Sequence, residues 1–255
     1  MASIHYGKIK TAGQVKAWLR HCETEQRKTR EHRNGDIDKT KTDENINFMN
    51  WSYKESCARY DRRIKKLDET SNTNKRKDRV TAFGLIISMP EGLSREGEKQ
   101  LMEMSIRIFE ERYGKENVFG AYGHWDELHD YARGESFKSS RAHLHLFIVP
   151  ELHGRLCGKE FSSKKAMKEM NRSIDRECYA RFGKHFLTGE KAGKKSVEEL
   201  KGQSAKDAEV LWEINKAIKR EQLGQLGRLL ESKRGRALVG EALKGETYVN
   251  REKSR

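Results

Sequence analysis

The chain has 255 residues, with 53 Lys+Arg against 39 Asp+Glu and a formal net charge of +14 at pH 7. That length supports one sizeable domain plus an appendage, and a positive excess beyond what solubility requires points to a polyanionic partner, most simply nucleic acid. The longest apolar run, around Val80 to Met89, is too short to span a bilayer; no stretch has the form of a basic amphipathic anchor, and the N-terminus lacks a leader pattern, so a cytoplasmic protein is expected. Cys22, Cys57, Cys157 and Cys178 make no Cys-x-x-Cys pair, which argues against a zinc ribbon or a disulfide framework.

Ser3 to Lys10 alternates as a strand does, and Thr11 to Gln14 has the capping-box form that starts a helix. Val15, Trp18 and Cys22 fall at helical spacing and mark its buried stripe, with His21 at the stripe's edge. A single histidine there is more often structural than catalytic. The next stretch, EQRKTREHRNGDIDKTKTDENINF, has almost no apolar periodicity and reads as a long loop, either functional or disordered. Trp51 to Leu67 carries Tyr53, Cys57, Tyr60, Ile64 and Leu67 at alternating spacings of four and three, an amphipathic helix with a basic outer face. Glu69 to Arg79 is a polar connector. Val80 to Met89, rich in β-formers and closed by Pro90, reads as a central strand. Ser94 to Tyr113 then reads as a helix with Gly114 as its C-cap.

Between Asn117 and Glu151 lies the stretch with the most chemistry. His124, Asp126 and Glu127 end one apolar run, and His143 and His145 begin another. Side chains alternate along a strand, so His143 and His145 share a face while Leu144 takes the other. Antiparallel pairing of the two runs brings His124 alongside them, and three neutral imidazoles with a carboxylate close by can hold a divalent metal with positions left open. His129 is a substitute for one of the three. The plain alternative is that these histidines are structural, as a lone His-x-His usually is.

A turn at His153-Gly154 leads to a short run, Arg155 to Phe161, expected as a small strand, and then to a helix from Ser163 to Phe182 that buries Met167, Met170, Ile174 and Cys178. Lys191 to Lys195 is a basic linker. Val197 to Leu243 reads as mostly helical, with Leu211, Ile214 and Ile218 on one face. The expected organisation is a domain over 1–190 followed by a helical extension over 191–255. The expected class is α+β, with a mostly antiparallel sheet of four or five strands and helices packed on one side of it.

Three segments carry a resemblance to a known family. One is TAGQVKAWLRHCETEQ followed by EHRNGDIDKTKTDEN, similar to a histidine on a helix and then a spaced Asn, Asp, Thr and Asn. Another is RKDRVTAFGLIISMPE, similar to the family's central strand. The last is HWDE with HLHLFIVPE, similar to its His-x-Asp-Glu and His-x-His signature, followed by GRLCGKEF. Over about residues 3 to 185 the chain resembles the plasmid mobilisation relaxases of the Mob/Pre (MOBV) type, members of the HUH endonuclease group. It departs from their pattern by placing fifteen residues, Leu128 to Ala142, between the two histidine segments, with no proline before His143. We read the insertion as a lengthened hairpin tip that preserves strand pairing; a slip of one residue would turn the imidazoles to opposite faces.

The resemblance implies His124, His143 and His145 as ligands of a divalent metal, Mn2+ or Mg2+, and His21 as the nucleophile, with Glu127 near both. It implies Asn34, Asp36, Thr42 and Asn45 as residues that order the early loop or touch DNA; Arg27 and Arg33 are added as DNA contacts on charge alone. The implied partners are single-stranded or hairpin plasmid origin DNA and other mobilisation proteins. The implied activity is nicking of one strand at an origin of transfer by metal-assisted transesterification, leaving a 5′-phosphate on a histidine. The alternatives are the same covalent step on Tyr6, Tyr53 or Tyr60, a metal-dependent nuclease that forms no adduct, a rolling-circle replication initiator, and a basic DNA-binding protein without enzymatic activity.

Overall fold

The computed structural model describes residues 4–29, 37–71, 76–127, 130–133, 136–139, 141–187 and 236. The chain opens with strand β1 (Ile4–Ile9) and helix α1 (Ala12–Cys22). Thr11 and Gln14 form the expected capping box at the start of α1, satisfying backbone donors that the first helical turn leaves free. The short helix α2 (Thr24–Thr29), a 3-10 turn over Lys39–Glu44 and strand β2 (Ile46–Asn47) follow. Helix α3 (Tyr53–Thr70), strand β3 (Ala82–Ser88), helix α4 (Arg95–Tyr113) and strand β4 (Val118–His124) come next. Ser52 and Ser94 cap α3 and α4 through their hydroxyls, and Gly114 ends α4 at a φ of 90°, where a side chain would be strained.

Strands β5 (Asp130–Arg133) and β6 (Ser136–Ser139) pair antiparallel with each other. Strand β7 (His143–Ile148) follows, then the small hairpin of β8 (Glu151–Leu152) and β9 (Arg155–Leu156), whose tip holds His153 and Gly154 at φ of 56° and 77°. Two successive positive φ values are what a tight two-residue hairpin turn demands. The run expected as a strand from Arg155 to Phe161 is strand only over β9. From Gly158 it turns into helix α5 (Gly158–Phe161), before the Ser163-capped helix α6 (Lys164–Phe182). The chain divides into two compact units, 1–128 with 141–192 and 129–140 with 193–255. The helical extension expected over 191–255 falls outside the described residues, apart from Arg236.

Five strands form one sheet in the order β1-β3-β7-β4-β2, every neighbouring pair antiparallel. His124 lies opposite His143, and Tyr122 opposite His145, so the inserted residues leave the pairing of β4 with β7 in register. Alternation then sorts the side chains. Phe83, Leu85 and Ile87 of β3 and Leu144, Leu146 and Ile148 of β7 pack against Leu101 and Phe109 of α4 and Met170, Ile174 and Cys178 of α6. On the other face Phe119, Tyr122 and Phe147 meet Val15, Leu19 and Cys22 of α1 and Tyr60 and Leu67 of α3. Helices therefore cover both faces, where the sequence suggested one. The reason is that every residue of β4 and β7 is buried, so neither face is left to water.

The segment expected as an unstructured loop is ordered at both ends by polar contacts that leave no periodic signature. Arg27 donates to Asp126 and Glu127, Thr42 Oγ1 donates to Asp126 Oδ2 at 2.9 Å, and Asn45 Oδ1 accepts from the Trp125 backbone at 2.9 Å. Gly123, immediately before His124, has no room for a larger residue. A Cβ there would stand 2.7 Å from Trp125 Cζ3 and 2.9 Å from both Met102 Sδ and Phe48 Cε2. Gly123→Ala should destabilise the protein by about 1–3 kcal/mol in urea titrations, the usual cost of overpacking. Equal stability would mean that this edge of the core can open.

Candidate active site

His124 ends β4, while His143 and His145 sit two apart on β7, on the face that α1 covers. The ring centroids of His124 lie 5.4 Å from those of His143 and 4.7 Å from His145, and those two are 4.9 Å apart. His124 Nε2 donates to the Cys22 carbonyl at 2.9 Å; a carbonyl only accepts, so the proton is on Nε2 and the Nδ1 lone pair is free. His143 Nδ1 donates to the Arg141 carbonyl at 3.1 Å, which leaves its Nε2 lone pair 3.1 Å from His145 Nε2. Buried His124 Nδ1 and His145 Nδ1 have no hydrogen-bond partner.

One ligand atom from each of His124, Glu127, His143 and His145 falls within 4.8 Å of all the others. Two nitrogens each about 2.1 Å from one cation, at right angles, lie roughly 3 Å apart. The spacing of His143 and His145 matches that, and the orphaned His124 Nδ1 supplies a third lone pair. Tautomers fixed by backbone carbonyls are the outer-shell device that aims metal-binding histidines. The donor set, three imidazoles and a carboxylate, therefore fits a divalent transition-metal cation.

Burial holds the His124 and His145 imidazoles neutral. It lowers His124 from 6.5 to about 4 and His145 well below its ordinary value, with neighbouring imidazoles adding to the effect on both. Burial opposes ionisation of Glu127, but its close approach to the His124 and His21 rings outweighs it and holds that carboxyl well below its usual range. A group whose folded pKa is depressed binds fewer protons folded than unfolded. Metal-free stability should therefore be full above about pH 6.5 and decline as the pH falls toward 4. For His124 alone the loss between pH 7 and pH 5 is about 2 kcal/mol, readable by denaturant titration of the metal-free protein. Stability that rises over this interval would mean that the rings carry charge inside the fold.

His21, on the last turn of α1, completes the cluster. Its ring lies 6.4 Å from His124 and 6.1 Å from His145, centroid to centroid, and its Nε2 is 3.3 Å from Glu127 Oε1. The side chain is 38% exposed, open to a substrate in a way that the buried three are not. The tyrosines are placed differently. Tyr6 packs on Phe83 and Phe161, against the opposite face of the sheet, and Tyr60 is buried with its hydroxyl donating to Thr81 at 2.9 Å. Tyr53 accepts from Arg20 Nη2 at 3.2 Å.

The early-motif residues divide. Thr42 and Asn45 are buried and bonded to Asp126 and Trp125, which suits ordering of the loop. Arg27, expected on charge to touch DNA, is fully buried, its guanidinium engaged with Asp126, Glu127 and the His21 carbonyl. Arg33, Asn34, Asp36 and His129 lie outside the described residues. The sequence did not assign roles to Asp126, which anchors Arg27 and Thr42, or to Trp125. The Trp125 indole donates to Glu98 Oε2 at 2.7 Å and lies under Arg95, 3.4 Å from guanidinium to ring centroid. The signal available was position: both lie within the HWDE segment, between His124 and Glu127.

The fold is an all-antiparallel sheet carrying paired histidines on adjacent central strands, with helices on both faces. It superposes on a MobM relaxase domain, solved bound to plasmid pMV158 oriT DNA and Mn, with a TM-score of 0.61 at 21% identity, covering 78% of this chain and 97% of that one. A second structure of that domain, with a 23-nucleotide oriT DNA, gives a TM-score of 0.59 at 23% identity, covering 80% and 98%. The Mob/Pre profile, described as plasmid recombination enzyme, matches residues 1–206, and the chain belongs to that family. A plasmid recombination enzyme type 2 of Staphylococcus aureus is 30% identical over 167 residues, 63% of this chain and 35% of the relative. One from Bacillus thuringiensis is 27% identical over 193 residues, 72% and 39%. The chain thus spans somewhat over a third of the length of these relatives. Among the described residues no helix is long and apolar enough to cross a membrane.

Proposed function

We propose that the chain is the nicking domain of a plasmid mobilisation relaxase, acting on single-stranded or hairpin DNA at an origin of transfer and keeping the 5′ end as a phosphoramidate on His21. The observation that carries this reading is the His21 ring, 38% exposed, beside three buried imidazoles each of which brings one nitrogen within 4.8 Å of the others and of a Glu127 oxygen. The family, the oriT DNA and Mn bound to the MobM relaxase domain, and the net charge of +14 support it.

A divalent cation on His124, His143 and His145, with Mn2+ our assignment, would supply Lewis-acid stabilisation of charge on the non-bridging phosphate oxygens. The chain's own residues do the rest. A lone pair of neutral His21 attacks phosphorus in line, the bond from phosphorus to the 3′-oxygen breaks, and the leaving oxygen takes a proton to become the 3′-hydroxyl. Glu127, 3.3 Å from the ring, offsets the positive charge that the imidazole acquires. The phosphorus–nitrogen bond keeps the reaction reversible, since the free 3′-hydroxyl can attack it.

The test is incubation with Mn2+ and a single-stranded oligonucleotide spanning the origin of the plasmid that carries this chain, followed by a denaturing gel. We expect a free fragment ending in a 3′-hydroxyl and a protein band shifted by the downstream fragment, joined through its 5′-phosphate, stable at neutral pH and released by acid. Cut DNA with no shifted band would point instead to a hydrolytic nuclease, and intact DNA to a binding protein.

A further inference from the structure

Arg27 is a fully buried arginine on a six-residue helix, and its guanidinium spends its donors on the site. Nε donates to the His21 carbonyl at 3.0 Å, Nη1 to Asp126 Oδ1 and Nη2 to Glu127 Oε1. The other oxygen of Asp126 is taken by Thr42. Asp126 therefore serves as an anchor for Arg27, and it is absent from the set of groups able to meet one cation.

Glu127 is differently placed. Oε1, which Arg27 holds, is 3.3 Å from His21 Nε2 and 3.6 Å from His124 Nδ1, while Oε2 is 3.5 Å from His143 Nε2. A carboxylate that close to three imidazole nitrogens can either join the metal's shell or face the nucleophile. A guanidinium clamped on Oε1 opposes the first choice twice: it occupies the oxygen, and it brings a positive charge that resists a cation's approach. We propose that Arg27 is a positioning residue that reserves Glu127 for His21 and withholds it from the metal. The proposal rests on the relaxase reading for its catalytic half only.

Its signature is a pair of opposite changes, which a purely structural role would not produce. Titration calorimetry with Mn2+ alone should show Arg27→Gln binding the ion about tenfold tighter, a shift of the size that outer-shell changes cause. That gain should vanish in Arg27→Gln/Glu127→Gln, measured against Glu127→Gln. The single-turnover rate of adduct formation at saturating oligonucleotide should fall about 10²-fold in Arg27→Gln, as expected when a reacting group is displaced by an ångström. Oligonucleotide affinity should stay within about twofold of wild type, with its salt dependence unaltered.

Mn2+ affinity that is equal or weaker in Arg27→Gln overturns the proposal, and so does a gain that persists without the Glu127 carboxylate. Weakened oligonucleotide binding with a shallower salt slope also overturns it, making Arg27 a DNA contact. If Arg27→Gln fails to fold, Arg27→Lys is read the same way. Its single ammonium can hold one carboxylate but not both, so a smaller shift in the same directions is expected and no shift refutes. Should the wild-type chain form no adduct, the relaxase reading fails, while the Mn2+ comparison still decides this one.

Discussion

His21→Ala should abolish covalent capture of the oligonucleotide, slowing adduct formation by more than about 10⁴-fold, the order expected when a nucleophile is deleted. Oligonucleotide affinity should remain within about threefold, because one neutral ring among many cationic contacts adds little to binding. The two quantities are separable because the His21 side chain is 38% exposed and the Cys22 carbonyl, not the His21 side chain, holds His124. Single-turnover gel assays and fluorescence anisotropy read them independently. A variant that still cuts without retaining DNA would assign the attack to water. One that still retains DNA would shift the nucleophile elsewhere.

The second large effect concerns the metal. His145 lies on the central strand β7 between β3 and β4, is almost wholly buried, and has an orphaned Nδ1. Loss of an outer-shell partner already costs about 10–100-fold in metal affinity, so removing the ring itself in His145→Ala should weaken Mn2+ binding by more than about 100-fold. Chelation of the wild-type protein should stop nicking, and added Mn2+ should restore it. Calorimetry and the nicking assay report both, and His145→Ala with wild-type Mn2+ affinity would remove this residue from the ligand set. Burial already keeps His124 and His145 neutral, so in mild acid the metal faces less competition from protons at those two rings than it would at exposed histidines.

Parts of this arrangement were legible because they depend on neighbours in sequence. Thr11, Ser94, Ser163 and Gly114 announce helix ends through bonds that span three or four residues, and those ends are where the structure has them. The shared face of His143 and His145 follows from strand alternation alone. Pairing with His124 was also readable, because two apolar runs of similar length flank one polar insertion.

What escaped detection depends on residues far apart in the chain. Arg27 and Asp126 are separated by 99 positions, and no local pattern distinguishes an arginine that will be buried against two carboxylates from one that will meet phosphate. The same blindness hid α2 and the 3-10 turn, which owe their order to that pair and to Thr42. The two-sided cover of the sheet escaped in the same way. Strands β4 and β7 are buried along their whole length, and the cover over their second face comes from α1 and α3, which are distant from them in the chain.

The account stands or falls on which atom of the protein the DNA becomes joined to. Trypsin releases His21 within the short peptide HCETEQR, between Arg20 and Arg27, and tandem mass spectrometry of a neutral digest of the Mn2+-activated complex can locate the attached nucleotide. The account predicts a phosphonucleotide on that peptide, carried by the imidazole and lost on acid treatment. A nucleotide carried instead by a tyrosine peptide and surviving acid would contradict it.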